Sequence, residues 1–146
     1  MTRDEVDSLL QLVVAWAETR ADIVGVGLVG SWAYGNARPD SDVDFVLITS
    51  TPEAFRHNDG WLRELDWPSA GFRVARWHDE DYGPLWSRHI MLAPPGEVEC
   101  GFALPAWAAT EPMDGGTREV VSHALRVLLD KEGYFARLLG SLEEKA

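Results

Sequence analysis

Apolar residues fall into different rhythms along the chain, and each rhythm predicts an element. Leu9, Leu10, Val13, Val14 and Ala17 recur at three- and four-residue intervals, so residues 3–20 read as an amphipathic helix. Thr2 and Glu5 stand at capping-box spacing at its start. Residues 23–29 and 43–48 are short, nearly unbroken apolar runs, the pattern of strands buried on both faces. The stretch 30–41 between them reads as a loop or short helix closed by turn residues, with Asn36, Pro39 and Asp40 as turn formers. Residues 53–66 fit a helix ending before Pro68, and 72–77, 88–92 and 97–103 fit strands. Residues 117–125 have a helical pattern, with Val120, Val121, Ala124 and Leu125 inward. Residues 126–130 fit either its continuation or an edge strand, and Gly133 precedes a last short helix. Helices flanking a small mixed β-sheet make an α/β (α+β) fold. A length of 146 residues fits a single domain, 1–146.

Composition narrows the setting. No apolar run approaches the ~18 residues of a membrane span, and Met1-Thr2-Arg3-Asp4-Glu5 lacks a cationic region before an apolar one, so neither a span nor a secretory signal is expected. One cysteine excludes an internal disulfide, and no Cys/His cluster has zinc spacing; the expected compartment is the cytoplasm. Asp and Glu number 24 against 13 Lys and Arg, a net charge of −11. Such a surface disfavours nucleic acid, which is gripped by basic patches. It suits a cationic small molecule or a basic protein face, or it simply keeps the protein soluble.

Candidate chemistry lies around Gly30-Ser31 and Asp42-Val43-Asp44. Carboxylates at i and i+2 on a strand share one side of the sheet, and hard oxygens without His or Cys nearby suit Mg²⁺ completed by substrate phosphates. Read alone, the dyad fits equally a turn residue followed by a surface acid. Gly30-Ser31 upstream adds a place where backbone N–H groups and a hydroxyl can approach a phosphate. The two together make a site for a nucleoside triphosphate and its metal. The absence of lysine before Lys131 excludes a P-loop lysine.

The run Leu28-Val29-Gly30-Ser31-Trp32-Ala33-Tyr34-Gly35, followed by Ser41-Asp42-Val43-Asp44-Phe45-Val46, resembles the nucleotidyltransferase superfamily related to DNA polymerase β. The resemblance implies a nucleotidyltransferase-like fold and Mg²⁺-dependent transfer of a nucleoside monophosphate, AMP from ATP, to a hydroxyl. Gly30, Ser31, Asp42 and Asp44 would bind the nucleotide. Asp42 and Asp44 would hold two Mg²⁺ ions, and a third carboxylate on a later strand would complete the site and act as base. Glu99, enclosed by Val98 and Cys100, is the choice for it, with Glu97 as the fallback. Many relatives carry Arg where Trp32 and Tyr34 stand, so a phosphate contact is missing here or comes from Arg38.

The acceptor stays open on sequence. Small relatives modify drugs of the lincosamide or aminoglycoside type, sometimes across a homodimer; minimal antitoxin-type relatives modify a toxin-like partner protein; a nucleotide-binding module without turnover is the third possibility. Trp32 stands where it can stack on a base, and Trp16, Trp61 and Trp67 fit the core. Arg73, Arg76 and Arg88 are placed either to reach phosphates or to pair with acids such as Asp79 and Glu80. The four histidines, His57, His78, His89 and His123, have no ligand spacing and receive no role. Trp77, Tyr82, Leu85, Trp86, Leu104, Pro105 and Trp107 are expected at a surface used for self-association or partner binding, with core padding as the alternative.

Overall fold

The computed structural model describes residues 1–83, 85–93, 96–108 and 125–145. Helix α1 (Arg3–Thr19) opens with the expected capping box: Glu5 N–H donates to Thr2 Oγ1 at 3.2 Å and Thr2 N–H to Glu5 Oε1 at 2.8 Å. The Thr2 backbone N–H, then the Thr2 side chain, favours the ionised carboxylate and holds the Glu5 pKa below its ordinary value. Then follow β1 (Gly25–Val29), a single turn α2 (Ser31–Tyr34) and β2 (Val43–Ile48). The predicted helix over 53–66 is instead two short ones, α3 (Pro52–His57) and α4 (Trp61–Glu64). Asn58 interrupts it, its side-chain oxygen accepting from Gly60 N–H at 3.1 Å, a local bond that competes with the helical ladder.

Strands β3 (Arg73–Asp81) and β4 (Leu85–Ala93) are longer than their apolar residues predict and form an antiparallel pair. Next come β5 (Gly96–Ala103), β6 (Leu125–Asp130) and α5 (Tyr134–Lys145), with 3₁₀ turns at Trp67–Ala70 and Pro105–Ala108. Pairing with β1 decides residues 126–130 in favour of an edge strand. The predicted helix over 117–125 lies, up to residue 124, outside the described residues, as does His123; Leu125 begins β6.

The six strands form one mixed sheet in the order β3-β4-β5-β2-β1-β6, in which β2 and β5 are parallel and every other pair is antiparallel. One face packs on α1, α3 and α4. There Phe102 lies between the rings of Trp86 and Phe55, each 4.8 Å away, while Trp16 and Trp61 meet at 5.5 Å. Trp16, Trp61 and Trp67 are core residues, as expected. The other face carries a smaller cluster of Val46, Ile48, Ala103, Trp107, Phe135 and Leu138. Phe135 reaches the strand because Gly25 lacks a Cβ, which would approach its ring to 2.8 Å.

Two expectations for the aromatics are corrected here. Trp86 and Trp107 are only 3% and 5% exposed, so they are core and not a contact surface. The alternation of a strand and the closure of a 3₁₀ turn face them inward, which composition alone does not reveal. Trp77, Tyr82 and Leu104 do remain exposed. Arg88 is fully buried on the helix-packed face. It donates two bonds to Asp79, at 2.7 and 2.9 Å, and lies 3.9 Å from the Trp77 ring centroid, so it pairs with an acid and does not reach a phosphate. Arg73 and Arg76 lie on β3, three strand spacings or about 14 Å from β2.

Candidate active site

The site begins where β1 ends. Gly30 adopts φ +76°, and a Cβ there would overlap Asp44 Oδ2, so both the turn and the carboxylate behind it require glycine. Its first bond is Ala33 N–H to the Gly30 carbonyl, which leaves the amides of Ser31 and Trp32 ahead of the turn's own hydrogen bonding. Trp32 ties this loop to the strand that follows: its ring packs against the helix-side core, and Nε1–H donates to the Ser41 carbonyl at 3.2 Å. The indole therefore fixes the distance between Gly30-Ser31 and Asp42. Arg38 is exposed and lies 3.8 Å from Asp40.

Sheet register assembles the acids. Asp44 on β2 stands directly beside Val29 of β1 and Glu99 of β5. The parallel ladder begins with Val43 beside Val98, so Asp42, one residue before it, is next to Glu97. Asp42 is exposed, and Asp44, Glu97 and Glu99 are half-buried. The choice between Glu97 and Glu99 thus becomes a division of places: Glu99 neighbours Asp44, and Glu97 neighbours Asp42. Two further groups face them: Tyr82, expected from sequence at a contact surface, and His89, to which the sequence assigns no role. His89, opposite Glu99 on β4, has Nε2 at 3.4 Å from Glu99 and Nδ1 at 3.8 Å from Glu97. Tyr82 donates its hydroxyl proton to Glu80 at 2.7 Å, and its oxygen lies 3.1 Å from His89 Nε2.

Charge is left uncompensated here. Among the described residues no Lys or Arg pairs with any of the four acids. Burial, then the nearby Glu99, raises the Asp44 pKa to about 7. A shared hydrogen bond with Asp42, then burial, raises Glu97 to about 7. Clustered carboxylates of this kind are stabilised in their ionised form by a cation. An all-oxygen donor set beside a glycine turn with no room for a side chain fits a hard divalent ion carrying phosphate ligands. Beside Asp44 and Glu99 opens a cavity of about 420 Å³, walled by Val29, Val46, Leu85, Trp107 and Tyr82. Cys100 faces away from it, and burial pushes its thiol up to about 12, leaving it inert.

Within a mixed sheet flanked by helices, a glycine turn closing on a carboxylate of the next strand is an arrangement that can hold a phosphate beside a cation. The sequence agrees: residues 11–83 match the nucleotidyltransferase domain model, half of the chain, and the chain belongs to that family, within the superfamily of DNA polymerase β. The match spans Gly30, Ser31, Asp42 and Asp44 but ends before Glu97 and Glu99, whose placement rests on strand register. Among solved structures, the fold is similar to that of an aminoglycoside 6-adenyltransferase from Bacillus subtilis, with a TM-score of 0.51 and 13% identity. The similarity covers 74% of this chain and 37% of that one, so the chain spans little more than a third of that enzyme's length. No curated protein matches the chain by sequence.

Proposed function

We propose that residues 1–146 act as one nucleotidyltransferase domain that moves AMP from ATP to a hydroxyl of a small molecule. The observation that carries this reading is the register of Asp44 beside Glu99, with Gly30 closed against it. Asp42, Asp44 and Glu99 hold Mg²⁺, and Gly30 and Ser31 bind the triphosphate through backbone amides and the Ser31 hydroxyl. When bound, two such ions offset the charge that builds on the attacking and leaving oxygens. The acceptor oxygen bonds to the α-phosphorus as the bond to the β-phosphate bridging oxygen breaks, and pyrophosphate leaves. Glu99 takes the acceptor proton. Binding in this arrangement works by positioning and charge, since the chain itself forms no covalent bond.

An acidic rim over mostly apolar walls suits an acceptor with a cationic group and an apolar body, such as a lincosamide-type drug. The net charge of −11 disfavours nucleic acid in that role. The reaction is placed in the cytoplasm, where nucleotide and Mg²⁺ are supplied; among the described residues no helix is long and apolar enough to cross a membrane. The test is incubation with α-labelled ATP, Mg²⁺ and either hydroxylated cationic drugs or lysate. Label in a small-molecule product with released pyrophosphate supports the reading, and label in protein moves the acceptor to a partner. ATP binding without any transfer would leave a nucleotide-binding module, and turnover unchanged in Asp42→Asn would overturn the site.

A further inference from the structure

One strand away from the carboxylates lies a cluster of different chemistry. His78 and Glu80 alternate on β3 and so share a face, and His89 is the direct cross-strand neighbour of His78 on β4. Their rings are parallel within 4°, with centroids 4.8 Å apart. Glu80 Oε1 lies 3.6 Å from His78 Nε2, while its Oε2 accepts from Tyr82. Among the described residues this is the one group of three His, Cys, Asp or Glu whose donor atoms all lie within 4.8 Å of one another.

We infer that His78, Glu80 and His89 form a second metal site, selective for a borderline transition ion such as Zn²⁺ or Co²⁺. Three features support it beyond proximity. Two imidazoles and one carboxylate suit these ions and not Mg²⁺, which favours oxygen. The ligands are already held by outer partners: Tyr82 fixes Glu80 through Oε2, leaving Oε1 toward the histidines, and Glu97 faces His89 Nδ1 at 3.8 Å. The neighbouring Glu97 and Glu99 make the approach negative and attract a cation. Tetrahedral ligation at ~2.0–2.1 Å brings donors to about 3.3 Å from one another. The adjustment falls on His78, whose side chain is 58% exposed and turns out of the parallel stack.

Occupancy has a consequence for the neighbouring centre. His89 Nε2, now 3.4 Å from Glu99 Oε1, is drawn to the ion, and Glu99 loses its imidazole neighbour. The two sites thus sort ions by donor type and communicate through one histidine. The three ligands all lie on the β3–β4 pair, so this inference survives or fails separately from the proposed activity.

The experiment is a Co²⁺ titration of the whole chain in excess Mg²⁺, followed by visible absorption and calorimetry. One equivalent of cobalt is expected, with the strong absorption of a low-coordinate, nitrogen-ligated ion. His78→Ala and His89→Ala should each weaken it by more than ~10-fold, the lower end of the effect of losing even an outer partner. Asp42→Asn should bind cobalt as the unaltered chain does. His78 lies exposed on the edge strand, and Glu80→Gln keeps side-chain volume, so the result does not depend on one variant folding. No binding under excess Mg²⁺ overturns the inference, as does equal binding in the histidine variants. Loss of cobalt in Asp42→Asn alone also overturns it, by placing the ion at the carboxylates.

Discussion

The two faces of the sheet solve opposite problems with the same alternating strands. On one face Val98, Cys100 and Phe102 of β5 are buried beneath helices, and even the charged Arg88 is sealed by Asp79 and three indole rings. On the other, Glu97 and Glu99 of the same strand meet Asp42 and Asp44 with no Lys or Arg partner among the described residues. The first face lowers its energy by packing large groups against one another, with Arg88 Nη1 the one nitrogen of its guanidinium left without a hydrogen-bond partner among the described residues, facing indole rings. The second holds like charges together, which destabilises the fold unless a cation is supplied, and strain of this sort collects at functional sites.

Substitutions on the two faces should therefore separate stability from activity. Trp86→Ala removes a ring stacked on Phe102 and is expected to lower stability by about 3–5 kcal/mol in denaturant unfolding. Asp42→Asn should leave that unfolding curve almost unchanged and reduce turnover by ~10³-fold or more, since it removes a charge and not merely the one donor worth ~10²–10³-fold. Gly30→Ala joins both effects, because its Cβ overlaps Asp44 and the backbone is left-handed; a loss of about 1–3 kcal/mol is expected together with loss of nucleotide binding.

The smallest expected effect has a definite sign. Asp44 is raised from 3.8 to about 7, so between these values the folded chain keeps a proton that the unfolded chain has released. Its contribution is fully present below about pH 4 and is lost as pH rises through about 7. At pH 8, Asp44→Asn should exceed the metal-free unaltered chain in stability by on the order of 2 kcal/mol, after allowance for water at the half-buried carboxyl. Thermal unfolding across the range reads this directly, and added Mg²⁺ should narrow the gap by stabilising the unaltered chain.

What was legible in the sequence divides along similar lines. The capping box of α1, the strands β1 and β2, and the pair Gly30-Ser31 with Asp42-Asp44 are local patterns, and local patterns are read reliably from residue spacing. Glu97 and Glu99 share a face by alternation, so only the register of β5 on β2 gives each its neighbour. Tyr82 reads from sequence as a contact residue and His89 as a residue without a role, because β3 past Trp77 is charged and polar and leaves the hairpin that brings both beside the carboxylates unmarked. The signal available was the hairpin itself, since pairing outward from Asp81 and Trp86 brings His78 to His89. Residues 126–130 became a strand through their partner β1, a tertiary choice that periodicity does not contain.

The central claim is that the carboxylate face is built to be completed by Mg²⁺ and a nucleoside triphosphate. Calorimetric titration of ATP into the whole chain, with and without Mg²⁺, and into Asp44→Asn, tests it most directly. Binding that requires Mg²⁺ in the unaltered chain and falls by more than ~10-fold in Asp44→Asn, a change of about 1.4 kcal/mol, is the expected result. ATP binding of equal strength without Mg²⁺, or unaltered in Asp44→Asn, would contradict it.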